Sequence, residues 1–228
     1  MDSSGAAPAG FAVLDVETTG FAPEHERIIE VGVVTLGPDG EETGSFCTLV
    51  DPGRDPGPTF IHQITPAMLV GAPTFEAIRP YLAGLLSGMV VVGHNVDAFD
   101  LAFLRAECAR VGGAALAPGD LASVDTLGVA QGHLHLRGKA RLVECCTHFG
   151  LSWEDHHSAL GDARVTAALF RSMRAELGDD VLGIAGLLAT ACGSSWPGAS
   201  PFPPLVRPRP GDGTRAAVGG AGIPTAPA

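Results

Sequence analysis

Hydrophobic and polar residues alternate in blocks along this chain, and the first blocks have the composition of β-strands. Three runs of mostly apolar, β-branched residues, separated by Gly and Pro, cover residues 11–16, 27–36 and 45–50. The turn signal Pro38-Asp39-Gly40 lies between the second and third runs, so we predict that these two strands form a hairpin. A short, fully apolar run at residues 89–92 predicts a strand that is buried on both faces.

The remaining apolar residues mostly recur at helical spacing. After the potential cap Thr74, intervals of three and four residues separate Phe75, Ile78, Leu82 and Leu85. This spacing predicts a helix through Leu86. Further helices are predicted at residues 66–69, 97–111, 142–149, 159–177 and 179–192, with one brief strand at residues 123–125. Strands followed by alternating helices and strands are typical of an α/β domain with a mixed sheet.

Composition divides the chain into segments. We predict a flexible N-terminus at residues 1–9, a folded domain at residues 10–178 and a packed C-terminal helix at residues 179–192. Residues 193–228 contain eight Pro and seven Gly with few large apolar residues. Such a segment cannot bury enough apolar surface to fold, so we predict a disordered tail.

The overall charge limits the classes of function. The 14 Lys and Arg against 25 Asp and Glu give a formal charge of -11, which argues against a protein that coats nucleic acid nonspecifically. It leaves open an enzyme that meets phosphate through metal ions. No apolar run reaches the roughly 18 residues of a membrane span, and the N-terminus lacks the features of a secretory signal. We therefore expect a cytoplasmic protein without membrane contact.

The first candidate site lies at the end of the first predicted strand. Side chains two apart on a strand point to the same face, so Asp15 and Glu17 place two carboxylates side by side. Paired carboxylate oxygens suit a hard divalent cation such as Mg²⁺ or Mn²⁺. The neighbouring Thr18, Thr19 and Gly20 add hydroxyls and allow close backbone approach.

Two further polar clusters follow apolar elements. In the first, His94, Asn95, Asp97 and Asp100 follow the buried strand, at the sheet edge where open α/β sheets bind ligands. Either Asp97 or Asp100 could contribute to a site, or merely cap the next helix. In the second, His157 precedes the long helix at residues 159–177, and Asp162 lies about one turn inside it. A neutral imidazole beside a metal site is a natural general base.

Together these motifs resemble the DEDDh family of 3′-to-5′ exonucleases, which includes the proofreading epsilon subunit of bacterial DNA polymerase III. The resemblance runs from about Phe11 to Leu177. It rests on the segments Asp15-Val-Glu17-Thr-Thr-Gly20, Phe99-Asp100-Leu-Ala-Phe103-Leu104, His157-Ser-Ala-Leu-Gly-Asp162 and Arg27-Ile-Ile-Glu-Val-Gly32. It implies a ribonuclease H-like fold, a mixed α/β sheet flanked by helices, with residues 10–178 as the exonuclease domain.

The resemblance also implies a mechanism. Two divalent ions, Mg²⁺ or Mn²⁺, would be held by Asp15, Glu17, Asp100 and Asp162. His157 would take the proton from the attacking water, and hydrolysis at single-stranded DNA 3′ ends would release nucleoside 5′-monophosphates. Thr18 would receive the terminal sugar, and the last nucleotides would be held by His62, Asn95 and Phe99.

The chain departs from the family in one motif. Three residues separate Asn95 from Phe99, where the family usually has two, so the extra residue must be absorbed in the loop or as a bulge at the helix start. We align on Asp100 because Phe103 follows it in register, and Asp97 remains the alternative ligand.

Several functional hypotheses stay open. The enzyme could act in DNA proofreading or repair, it could trim RNA ends, or the domain could be a nucleic-acid-binding module that has lost catalysis. A DNA polymerase is the candidate protein partner. The phosphate backbone could contact the basic residues Arg137, Lys139 and Arg141.

Overall fold

The structure, a computed structural model, describes residues 10–112, 121–134, 136, 140–153, 157–190 and 200–202 of the 228-residue chain. The predicted flexible N-terminus and most of the predicted tail lie outside these residues. Within them, no helix combines the length and apolar character needed to cross a membrane.

A five-stranded mixed sheet forms the centre of the domain, with strand order β3-β2-β1-β4-β5. Its strands are β1 (Phe11–Thr18), β2 (Ile28–Leu36), β3 (Glu42–Leu49), β4 (Val90–Gly93) and β5 (Ser123–Asp125). The predicted hairpin is confirmed, since β2 and β3 pair antiparallel around the turn at residues 38–40. β1 pairs antiparallel with β2 and parallel with β4, which makes it the central strand.

The described helices are α1 (Thr59–His62), α2 (Phe75–Leu86), α3 (Asp100–Arg110), α4 (Thr126–His133), α5 (Leu142–Phe149), α6 (Ala159–Leu177) and α7 (Ile184–Thr190), with a 3₁₀ helix at Pro66–Leu69. The predicted bounds of α5 and α6 are confirmed. Helices α1 and α4 were not predicted from the sequence. Both are short, and α4 contains Gly128 and Gly132, which weaken a helical pattern.

Two apolar layers cover the two faces of the sheet. On one face, Leu14 and neighbouring strand residues pack against α2 and α3. On the other face, Val13 and its alternating neighbours pack against α6 and α7 through residues such as Phe170 and Ile184. The alternation along β1 therefore assigns each of its side chains to one of two helical layers.

A short piece of the predicted tail also contacts the domain. The ring of Phe202 lies 6.4 Å from the Phe46 ring and 6.2 Å from the Tyr81 ring, measured between centroids. Phe202 thereby packs against the apolar layer that β3 and α2 share. The rest of residues 193–228 lies outside the described part of the chain.

Candidate active site

Strand β1 delivers two carboxylates to the face of the sheet that α6 covers. Phe11 and Val13 of β1 pack on the α6 side, so the alternation places Asp15 and Glu17 on that side as well. Both are half-buried near the end of the strand. Asp15 and Glu17 therefore share one face of the strand, as the sequence predicts.

Helix α6 brings the third carboxylate to the same place. Its N-cap is Ser158, whose hydroxyl accepts a hydrogen bond from the Gly161 N–H at 3.1 Å. Asp162 follows in the first turn, where the positive end of the helix favours a negative charge. The local sequence thus fixes where the helix begins and which turn carries Asp162.

The close packing of the start of α6 on the sheet depends on two residues of β2. A Cβ on Gly32 would lie 2.3 Å from the backbone carbon of Ala159, so only glycine permits this approach. Glu30 is fully buried, and its Oε2 accepts a hydrogen bond from the Ala159 N–H at 2.9 Å. Because Gly32 pairs with Asp15 in the sheet, the helix start is held directly beside the β1 carboxylates.

Asp15, Glu17 and Asp162 form a cluster whose candidate ligand atoms all lie within 4.8 Å of one another. Burial raises the pKa of Asp15 well above its ordinary value, and the like charges of Asp100 and Asp162 raise it further. Such crowding of carboxylates is unfavourable unless a cation compensates it. The donor set consists of hard oxygen atoms, so it fits a divalent metal ion.

Asp100 is held beside β1 by α3, the helix that packs on the other face of the sheet from α6. It is the first residue of α3, it is 3% exposed, and its Oδ1 accepts a hydrogen bond from the Val16 N–H at 2.9 Å. Burial raises the pKa of Asp100 to about 8, although the hydrogen bond from Val16 opposes this shift. Asp100 is not one of the three residues of the cluster, but it is close enough to raise the pKa of Asp15.

A wide turn precedes α3, in the segment where the sequence predicts that an extra residue must be absorbed. The Leu101 N–H donates to the carbonyl of Val96, five residues earlier, at 2.9 Å. This is a π-type turn, which accommodates one residue more than an α-helical turn. Val96, whose carbonyl accepts this bond, is fully buried next to Gly93, so the turn is anchored in the core.

Asp97, the alternative ligand, lies elsewhere. Its side chain is exposed, and its Oδ1 accepts a hydrogen bond from the Ser123 hydroxyl at 2.6 Å. Asp97 therefore links the turn before α3 to strand β5. Of Asp97 and Asp100, only Asp100 is hydrogen-bonded to β1, the strand that carries Asp15.

His157 lies immediately before the N-cap of α6 and is exposed. Its φ is +63°, a left-handed conformation that is uncommon outside Gly, although Asn, Asp and His adopt it more readily than other residues. Such strain is found at functional sites more often than elsewhere. The imidazole is thus exposed next to the start of α6, five residues before Asp162 in the sequence.

The four predicted substrate-binding residues have different surroundings. The Thr18 hydroxyl is nearly buried and donates to the Gly20 carbonyl at 2.7 Å. Asn95 is half-buried at a φ of +69°, with its N–H bonded to Asp125. Phe99 is half-buried and packs against Phe103 at 4.9 Å between ring centroids.

The fourth, His62, is almost fully buried. Its Nδ1 accepts a hydrogen bond from the Ile64 N–H at 3.0 Å, and its Nε2 lies 3.2 Å from the Pro56 carbonyl. The backbone donor at Nδ1 requires that the proton of a neutral ring be on Nε2. The imidazole thus links Pro56, before α1, to Ile64, after it. The loop around α1 lies against the residue that follows β1, since a Cβ on Gly57 would lie 2.3 Å from the Thr19 carbonyl oxygen.

Two residues around the cluster were not identified from the sequence. Glu30 belongs to a segment that resembles the family, but nothing in the sequence indicates its bond to Ala159. The Trp153 indole donates a hydrogen bond to Asp162 Oδ1 at 2.8 Å, and a lone Trp nine residues earlier carries no recognisable signal. Of the predicted phosphate contacts, Arg141 instead bonds Glu144, while Arg137 and Lys139 lie outside the described residues.

Comparisons with known proteins point to one family. A family model described as "Exonuclease" matches residues 12–170. The chain is 37% identical to the DNA polymerase III subunit epsilon of Treponema pallidum, over 72% of this chain and 75% of that protein. It is 35% identical to the PolC-type DNA polymerase III of Clostridium perfringens, over 73% of this chain but only 12% of that relative's length.

The fold agrees with these relationships. The structure superposes on E. coli exonuclease I in complex with a dT13 oligonucleotide with a TM-score of 0.66 and 21% identity, over 75% of this chain and 43% of that chain. This likeness supports the ribonuclease H-like fold predicted from the sequence. Because the family model spans well over half of its residues, the chain belongs to the exonuclease family.

Proposed function

We propose that this protein is a metal-dependent 3′-to-5′ exonuclease that hydrolyses single-stranded DNA from its 3′ ends and releases nucleoside 5′-monophosphates. The observation that carries the proposal is the cluster of Asp15, Glu17 and Asp162, with ligand atoms within 4.8 Å of one another. Three carboxylates that converge near the carboxyl end of the central strand are suited to divalent cations that contact a phosphodiester. Membership of the exonuclease family supports the reaction class.

The metal sites would use four carboxylates. Asp15, Glu17 and Asp162 would hold Mg²⁺ or Mn²⁺ directly, and Asp100 would complete the environment of a second ion. Bound divalent ions would supply positive charge to the attacking and leaving oxygens of the phosphodiester. The raised pKa values of Asp15 and Asp100 support this assignment. They arise mainly from burial and, for Asp15, also from neighbouring carboxylates, and a bound cation would offset both effects.

His157 would accept the proton of the attacking water. Its exposure lets the imidazole reach the substrate, and its place next to the N-cap of α6 keeps it near Asp162. A neutral imidazole in this position is a suitable general base for a water molecule at a metal site.

Thr18, Asn95 and Phe99 would hold the end of the strand. The Thr18 segment would receive the terminal sugar, while the half-buried Phe99 ring offers an apolar face to a base. Asn95 would contribute its amide. His62 would act through the loop that it fixes beside Thr19, since its ring nitrogens already engage backbone groups.

The direct test is nucleotide release from 5′-labelled oligonucleotides of matched DNA and RNA sequence, with Mg²⁺ or Mn²⁺ and with EDTA. We expect a ladder of shortened single-stranded DNA that requires metal and is absent from the Asp15→Ala variant. Faster shortening of RNA would favour an exoribonuclease instead. No release by folded protein, as judged by circular dichroism, would leave a binding module as the better description.

A DNA polymerase is the partner that we propose. Its support is that relatives of this chain are named as subunits of DNA polymerase III or as PolC-type polymerase. A pull-down of the polymerase catalytic subunit from the source cells, with the full chain and with a chain that ends at residue 192, tests this. Capture by neither form contradicts the proposal.

A further inference from the structure

Trp153 makes a contact that the proposed mechanism does not yet use. Its indole Nε1–H donates a hydrogen bond to Asp162 Oδ1 at 2.8 Å, across nine residues of sequence. This lies within the ordinary range for an N–H donor, and a bond to a charged acceptor is stronger than one between neutral groups. The indole is thus bonded to a carboxylate of the metal cluster.

The backbone around Trp153 is fixed by the end of α5. Gly150 terminates that helix in a left-handed conformation, with a φ of +65°. The next N–H, of Leu151, donates to the Cys146 carbonyl at 2.9 Å, as in a helix-ending motif that closes the last turn. Leu151 also packs into the apolar cluster between α5 and α6. The indole therefore extends from a well-anchored segment.

The chemistry of the indole suits a supporting role. Its N–H can only donate a hydrogen bond and has no lone pair for a metal, so the indole nitrogen cannot compete with Asp162 as a metal ligand. A carboxylate has two oxygens with about four lone-pair positions, so one indole bond and cation binding are compatible at the same side chain. Hydrogen bonds to metal ligands orient the ligand and strengthen metal binding.

The indole lies at the edge of the fold. Trp153 is half-buried and lines a cavity of about 440 Å³ together with Leu160 and Arg164 of α6. It is not one of the residues of the buried apolar core. Removal of its N–H should accordingly affect the Asp162 carboxylate far more than the stability of the domain.

We propose that Trp153 is a positioning residue that holds the Asp162 carboxylate in the orientation in which it binds a divalent cation. This rests on the proposed metal-dependent function, but it concerns metal affinity rather than hydrolysis. The hydrogen bond fixes the carboxylate before the metal arrives. Without it, the side chain must lose rotational freedom on binding, and the affinity falls.

The test measures Mn²⁺ binding without nucleic acid, by isothermal titration calorimetry on the full chain. Trp153→Phe keeps an aromatic ring but removes the N–H, and we expect its Mn²⁺ dissociation constant to rise about 10-fold. Replacement of Trp153 by benzothienylalanine, which has nearly the same shape without the N–H, should raise it equally. Ser152→Ala, an exposed change in the same segment, is the matched control and should bind as the parent does.

A spectroscopic readout reports on the indole itself. The chain contains two Trp, so Trp196→Phe leaves Trp153 as the only indole emitter. In that background we expect Mn²⁺ to change the Trp153 emission with the same midpoint as the calorimetric titration. Thermal melts in EDTA should show that the Trp153 variants unfold near the parental temperature.

The results separate this proposal from the proposed function. Unchanged Mn²⁺ affinity in the benzothienylalanine variant overturns the positioning role, even if the parent hydrolyses DNA. A parent that binds Mn²⁺ in a Trp153-dependent way but releases no nucleotides supports the positioning role and contradicts the exonuclease function. A parent that does not bind Mn²⁺ overturns both.

Discussion

The backbone N–H of Val16 donates a hydrogen bond to Asp100 Oδ1 at 2.9 Å, which fastens the first residue of α3 to the central strand. Val16 lies between Asp15 and Glu17 in sequence, so this bond sets the position of Asp100 relative to both carboxylates. The bond also pairs the buried Val16 N–H. Leaving such a donor without an acceptor would destabilise the fold by about 1–3 kcal/mol. One contact thus links the second motif to the first.

This contact predicts which aspartate of the second motif is needed for hydrolysis. Asp100→Ala should lower nucleotide release by more than about 100-fold, because loss of a metal-supporting carboxylate removes several kcal/mol of transition-state stabilisation. Asp97→Ala should retain most of the activity, since Asp97 bonds Ser123 at the surface. The rates at which the two variants shorten 5′-labelled single-stranded DNA test this assignment. If Asp97→Ala alone abolishes release, the assignment is wrong.

The stability of the metal-free protein should fall as pH rises from about 5 to 8. Burial raises the pKa of Asp100 from 3.8 to about 8, so between these values the folded state binds more protons than the unfolded state. The free energy of unfolding then decreases with pH, by up to about 1.4 kcal/mol per pH unit for one proton. Asp15, with its raised pKa, acts in the same direction.

Urea denaturation in EDTA across this pH range measures the effect. Asp100→Asn should flatten the pH dependence, because an amide does not titrate. A metal-free protein that becomes more stable as pH rises would contradict the burial of these carboxylates.

Addition of Mn²⁺ at pH 8 should raise the melting temperature. Ligands that bind only the folded state stabilise it by mass action, by about 2.7 kcal/mol at 100 times the dissociation constant. The effect should be lost in Asp15→Asn, which removes a central carboxylate of the cluster. Differential scanning calorimetry with and without metal checks this. An equal rise in the variant would place the binding elsewhere.

Gly32→Ala should destabilise the domain and impair the site together. The added Cβ would lie 2.3 Å from the Ala159 backbone, so α6 must move away from β2. Overpacking of this kind costs about 1–3 kcal/mol. Gly128→Ala in α4 is the control, because its Cβ meets nothing within 4 Å and alanine favours a helix by about 0.5–1 kcal/mol. Chemical denaturation of both variants should give changes of opposite sign.

Glu107→Ala should be among the more destabilising substitutions in the domain. Glu107 is 1% exposed, and it accepts hydrogen bonds from Arg27 Nε at 2.7 Å and from the Ile28 N–H at 3.1 Å. Its loss removes the carboxylate partner of the partly buried Arg27 guanidinium, which keeps its hydrogen bond to the Pro52 carbonyl, and leaves the buried Ile28 N–H without its side-chain acceptor. Breaking a buried ion pair in this way costs up to about 3–5 kcal/mol. The surface pair of Glu144 and Arg141 is the comparison, and Glu144→Ala should change the denaturation midpoint far less.

Much of the fold could be predicted from local patterns. The hairpin of β2 and β3 follows from two apolar runs and the turn at residues 38–40, and the bounds of α6 follow from its apolar spacing and its cap. The start of α3 was placed three residues early, at Asp97 instead of Asp100. A wide turn precedes the helix instead, and the hydrogen bond from the Leu101 N–H to the Val96 carbonyl that closes it has no local sequence signal.

The sequence by itself determined the alternation of strands and helices and the residue types at each motif, because periodicity and capping act over a few neighbouring residues. Only the tertiary structure decided which carboxylates meet. Asp100 reaches Val16 across 84 residues, and Glu30 reaches Ala159 across 129. Such contacts depend on how α3 and α6 pack against opposite faces of the sheet. Trp153 reaches Asp162 for the same reason: the ends of α5 and α6 converge only in the folded chain.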